Sequence, residues 1–95
     1  MKILFENIKN NSATRIVEYN GKKFRMYLEY THSMPCASVG HDWYHSLSIL
    51  TDNGTFSQIT DAKEVGSSVS HYACIVERDF PKLCEDFENY IKAVY

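Results

Sequence analysis

The side chains best suited to ionise or coordinate gather between residues 32 and 45. His32, Cys36, His41 and His45 are spaced H-x3-C-x4-H-x3-H, and imidazole with thiolate is a ligand set that suits tetrahedral zinc. No Cys-x2-Cys pair anchors the set, which weakens the zinc reading against that of a polar loop holding histidines. The same stretch offers a thiol nucleophile: Cys36 with His32, His41, His45 or His71, and Asp42 as the carboxylate that would orient the imidazole. Pro35 precedes the cysteine and no helix start follows it, so the usual field that lowers a thiol pKa is missing. Carboxylate pairs such as Asp42/Glu29 and Asp61/Glu64 follow no supporting pattern and read as solvated. Four glycines, with no Gly-x-Gly-x-x-Gly and no Walker loop, leave little for a phosphate cradle.

The element that must organise these residues is the C-terminal stretch Asp79–Tyr95. Phe80, Leu83, Cys84, Phe87, Tyr90, Ile91 and Val94 recur at three- and four-residue spacing on one helical face. Glu85, Asp86, Glu88, Asn89 and Lys92 occupy the other. Asp79 is an expected N-cap, with Pro81 where no N–H is needed. Such a helix needs a sheet to cover.

The sheet begins with a hairpin. Asn20-Gly21 tolerates positive φ at both positions and separates two alternating runs, Ala13–Tyr19 and Lys22–Thr31. A two-residue turn pairs Tyr19 with Lys22, Glu18 with Lys23, Val17 with Phe24, Ile16 with Arg25 and Arg15 with Met26. Val17, Phe24, Met26, Leu28 and Tyr30 then share one face, and Glu18, Lys23, Arg25, Tyr27 and Glu29 the other.

Residues 32–42 read as a long loop. A strand over Trp43–Thr51 puts Trp43, His45, Leu47 and Ile49 on the core side and Tyr44, Ser46 and Ser48 opposite. Asp52-Asn53-Gly54 turns it into Thr55–Thr60; a three-residue loop pairs Leu50 with Phe56 and Leu47 with Ile59, and a two-residue loop, the alternative, shifts that register. Residues 61–68 look loop-like, and Val69–Glu77 reads as a further strand. In the first ten residues Met1, Leu4, Phe5 and Ile8 have helical spacing, ending at Asn10-Asn11; Ile3 and Phe5 would also suit a strand. The expected fold is one α+β domain over residues 1–95: an antiparallel meander of about five strands, the helix across one face, and a short N-terminal helix.

Composition sets the class. The chain is 44% hydrophobic and 23% charged, ordinary for a soluble domain. No apolar run is long enough to span a bilayer, and Glu6-Asn7 interrupts any signal-peptide core, so a cytoplasmic protein without membrane contact is expected. Cys36, Cys74 and Cys84 form no disulfide framework, and Cys74 and Cys84 read as buried reduced thiols. A net charge of −2 is not a nucleic-acid-binding composition. Lys22, Lys23, Arg25 and Tyr27 could still contact RNA or DNA, although Glu18 and Glu29 dilute that face. The element order is superficially similar to a double-stranded-RNA-binding domain, but the acidic start of the last helix contradicts that resemblance.

Five Phe, seven Tyr and one Trp exceed what a small core needs. Tyr27 and Tyr44 face away from the core and Tyr95 is terminal, which suits a contact surface. The favoured expectation is a non-catalytic protein-binding module that docks on and blocks or regulates a larger protein, of inhibitor, immunity or phage anti-defence type. Its contact residues would be Asp42, Tyr44, Glu85, Asp86 and Glu88, with no cofactor. The alternatives are a small zinc- or thiol-dependent enzyme centred on His32, Cys36, His41 and His45, and a nucleic-acid-binding domain. A homodimer is also open, because a sheet leaves edges.

Overall fold

The turn at Asn20–Gly21 sets the register of the sheet. Asn20 has φ 51° and Gly21 φ 77°, the left-handed pair that matches the twist of a two-residue hairpin. In the computed structural model, which describes residues 1–31, 41–66 and 76–95 (side chains at 1–30, 44–60 and 76–95), the turn joins β2 (Ser12–Tyr19) to β3 (Lys22–Thr31). Tyr19 pairs with Lys22, Val17 with Phe24 and Arg15 with Met26, as the turn chemistry predicts. The other strands are β1 (Lys2–Ile8), β4 (His41–Leu50) and β5 (Phe56–Gly66), followed by α1 (Val76–Val94). They form an antiparallel meander in the order β1-β2-β3-β4-β5, an α+β fold with one C-terminal helix.

The β4–β5 connection is a three-residue loop, with Leu50 opposite Phe56. Gly54 takes φ 86°, and the Asn53 side chain accepts hydrogen bonds from the hydroxyls of Thr51 and Thr55. The expected partnership of Leu47 with Ile59 is displaced: Ser48 faces Gln58, but Leu47 faces Thr60, because a bulge inserts one residue. The bulge still lets Ile59 pack against the core.

Alternation puts Val17 of β2, Phe24, Met26 and Leu28 of β3 and Leu47 of β4 on one face. Over them α1 lays Val76, Phe80, Cys84, Phe87 and Ile91, all buried. These five follow a three- and four-residue spacing, a single helical stripe. The helix runs antiparallel to β3. At its start the Tyr30 hydroxyl donates to Asp79 Oδ2 at 3.0 Å. At its end the Tyr95 ring meets Phe24 edge-on at 5.0 Å, and Asn20 Nδ2 donates to the Tyr95 carbonyl at 3.3 Å.

Several expectations change. Residues 2–8 are a strand, not a short N-terminal helix: β1 pairs with β2, and Lys9 N–H donates to the Ser12 carbonyl at 2.7 Å, so Asn10-Asn11 turns a hairpin. The helical spacing misleads because β1 is an edge strand exposed on both faces, with Ile3 48% and Phe5 51% exposed, so no burial pattern disciplines it. Residues 61–66 continue β5 rather than forming a loop, since their polar sequence still pairs with β4.

The helix begins at Val76, so Val76 and Glu77 are not strand residues. Val76 lies one turn before Phe80 on the buried stripe, a contact that outweighs strand parity. Asp79 is therefore inside the first turn rather than at the N-cap. The rest of the expected strand, 69–75, lies outside the described residues. Among the described residues no helix is long and apolar enough to cross a membrane.

Candidate functional site

Strand alternation builds a second face opposite α1, and among the described residues nothing packs over it. At its middle, β4 contributes two small residues in succession, Ser46 and Ser48. Their cross-strand neighbours on β3 are large: Tyr27 faces Ser46 and Arg25 faces Ser48. A strand of serines between bulky neighbours leaves a trough. The resulting recess, about 590 Å³, is lined by Thr14, Ile16, Arg25, Tyr27, Tyr44, Ser46, Ser48, Phe56 and Gln58. That is within the size range of small-ligand and side-chain sites.

Two pairs of large side chains bound the trough. The Arg25 guanidinium lies over the Phe56 ring, 4.7 Å from its centroid, a cation–π contact that holds the charge near the floor. Tyr27 and Tyr44 meet with centroids 6.3 Å apart and rings tilted by 57°. Burial pushes the Tyr27 phenol pKa above its ordinary value, and the charge and hydrogen bond of Glu29 push it further. Beneath them Ser46 is 6% and Ser48 2% exposed. Among the described residues neither hydroxyl has a hydrogen-bond partner and Arg25 has no carboxylate partner. A hydroxyl kept from water without a partner is costly, so such groups call for an explanation.

The residues singled out from the sequence fall in different places. Tyr44 is on the rim of this recess. Asp42 lies in β4 opposite Thr31 and Val65, and its side chain lies outside the described residues. The three acidic residues do not form one patch. At about 100° per residue, Asp86 and Glu88 point to opposite flanks of α1, with Glu85 between them. Asp86 borders a recess with Leu28, Tyr30, His45 and Asp79 on the β4 side, whereas the field of Glu88 reaches Arg15 on the β2 side. Tyr95, expected to be a surface tyrosine, is half-buried on Phe24.

Of the zinc or thiol candidates, His32, Cys36 and His71 lie outside the described residues, as does the His41 side chain. The ring of His45 turns toward the helix, as strand parity predicts, and meets Phe87 edge-on at 5.6 Å. Among the described residues no three His, Cys, Asp or Glu side chains converge. Cys84 is fully buried, and burial pushes its thiol up to about 12, with the positive charge of Arg15 opposing. That thiol is inert packing. Arg15 itself bonds Glu6 at 2.7 Å and lies 5.8 Å from the Phe80 ring centroid. Burial works against its charge, but the bond to Glu6 and the fields of Cys84, Glu6 and Glu88 prevail and raise its pKa.

Phe56, Gln58 and the two serines were missed as site residues. Parity had already set Ser46 and Ser48 beside Tyr44 on the outer face. The missing signal was their position opposite Arg25 and Tyr27, which needs the β3–β4 register across a long connection. Compared with known proteins, the chain matches no family model, no curated protein and no solved structure.

Proposed function

We propose that this chain is a non-catalytic docking module that engages a larger protein with the open face of its sheet, centred on Tyr27, Tyr44 and Arg25. The observation that carries the reading is a tyrosine pair and an arginine poised around a recess on a face that, among the described residues, takes no part in the core. Tyrosine and arginine are the side chains that dominate binding energy at protein interfaces, because each offers a large contact area with a polar tip. Strands spaced about 4.8 Å apart, five of them over about 25 Å of length, present roughly 600 Å². A standard interface takes about 800 Å² from each partner, so rim residues beyond the sheet face would complete it. A module of this kind acts by occupying a surface, as inhibitors and immunity proteins do.

The test is affinity capture from a lysate of the source cells with three baits: the native protein, a Tyr27→Ala/Tyr44→Ala variant, and a Glu85→Lys/Asp86→Lys/Glu88→Lys variant. The expected result is one stoichiometric protein that the tyrosine variant loses and the charge-reversed variant keeps. The opposite pattern transfers the contact to the helix and removes the sheet-face reading.

A further inference from the structure

We infer that the recess over Ser46 and Ser48 is a carboxylate site that takes an Asp or Glu side chain of the docked protein, with Arg25 as its anchor. This rests on the docking reading and names the chemistry of the contact. Among the described residues the lining contains one cation, Arg25, and no carboxylate; its remaining polar groups there are hydroxyls and the Gln58 amide. Charge complementarity therefore calls for an anion.

Two further observations point to a ligand. The hydroxyls of Ser46 and Ser48 are more than nine-tenths buried, face this trough and have no hydrogen-bond partner among the described residues. Arg25 is held by an aromatic ring rather than by an acid, which positions the guanidinium while leaving its N–H fork unpaired among the described residues. A planar carboxylate fits that fork bidentately. It accepts two N–H bonds from Arg25 on one side and bonds from the serine hydroxyls below, so the fork and the buried hydroxyls find acceptors. The tyrosine pair forms the neighbouring wall and packs against the stem of the incoming side chain.

A protein carboxylate is favoured over a nucleic-acid phosphate by the surroundings. On β2 and β3 Glu18 and Glu29 offset Lys23 and Arg25, and the chain carries −2 overall. A polyphosphate track needs a field of several cations, whereas a single acidic side chain needs one well-placed arginine.

The experiment is a titration of isotope-labelled protein, followed by the amide signals of Ser46, Ser48 and Gln58 and by the Arg25 Nε–H signal. The probes are a blocked tetraglutamate peptide, its tetraglutamine counterpart and a short deoxythymidine oligonucleotide. Saturable shifts on the recess with the glutamate peptide are expected at about 1–10 mM, with none from the glutamine peptide. Arg25→Gln should weaken binding about tenfold or more, and Arg25→Lys should recover part of it without the bidentate geometry. Ser48→Ala should weaken it several-fold, and Lys82→Gln on the far side should change nothing.

Absence of saturation, equal binding by Arg25→Gln, or tighter binding of the oligonucleotide overturns the carboxylate assignment. If the peptide fails while the Tyr27→Ala/Tyr44→Ala variant still loses its captured protein, docking stands and the carboxylate site falls. If the peptide binds as expected but that variant keeps its partner, the carboxylate site stands and its assignment to docking falls.

Discussion

Replacing Ser48 with alanine should make the protein more stable, although it removes a polar contact from the site. Ser48 is 2% exposed and its hydroxyl has no partner among the described residues. Leaving such a group unsatisfied costs about 1–3 kcal/mol relative to solvation in the unfolded chain. Against that gain stands the lost dispersion of one oxygen, a few tenths of a kcal/mol. The strand-propensity difference is also small. The net expectation is a gain of about 1 kcal/mol, which corresponds to a rise in Tm of about 4–8 °C for a domain of this size. Urea denaturation reads it directly: the midpoint should rise with an unchanged slope. Ser57→Ala, at an exposed serine on the neighbouring strand, is the control and should stay within about 0.5 kcal/mol of the parent. A loss of stability in Ser48→Ala would mean that the hydroxyl is already satisfied, and the argument that the recess awaits a ligand would fail.

Three other perturbations test the fold. Tyr30→Phe removes the hydroxyl that donates to Asp79 at 3.0 Å; a half-buried bond to a charged acceptor predicts a loss of about 1.5 kcal/mol in urea melts. Gly21→Ala meets nothing within 4 Å, so its cost is conformational: at φ 77° it should destabilise by about 1 kcal/mol, whereas Asn20→Gly keeps the turn unstrained and should lose only about 0.5 kcal/mol, with the exposed bond to the Tyr95 carbonyl. The Cys84 thiol titrates near 9.0 when ordinary and is pushed up to about 12 in the fold. Between those values the unfolded chain binds fewer protons than the native one, so stability should fall as pH rises through that window. Cys84→Ala should be less stable at neutral pH, from the lost packing, but should show a shallower decline than the parent above pH 9.

Much of the fold was legible because neighbouring rules agreed. At the β2–β3 hairpin the Asn-Gly turn and the alternation of Val17, Phe24, Met26 and Leu28 demand the same register. On α1 the spacing of Phe80, Cys84, Phe87 and Ile91 leaves one way to bury the stripe. Legibility failed where a segment is not buried on one side. The residues of β1 are apolar but exposed, and those of 61–66 are polar although paired. Val76 shows the reverse case: a β-branched residue with strand propensity is drawn into the helix because the core lies beneath it.

The candidate site divides in the same way. Local alternation alone assigned Tyr27 and Arg25 to the outer face of one strand, and Tyr44, Ser46 and Ser48 to the outer face of another. That these two rows are adjacent, with Tyr27 opposite Ser46 and Arg25 opposite Ser48, depends on a pairing that spans residues 32–40 and that no local rule specifies. The placement of Arg25 over Phe56 adds a contact between strands that are not neighbours. Side-chain direction follows from the period-two geometry of a single strand and is written in a few consecutive residues. A recess is a property of several strands in register, and only their assembled packing creates it.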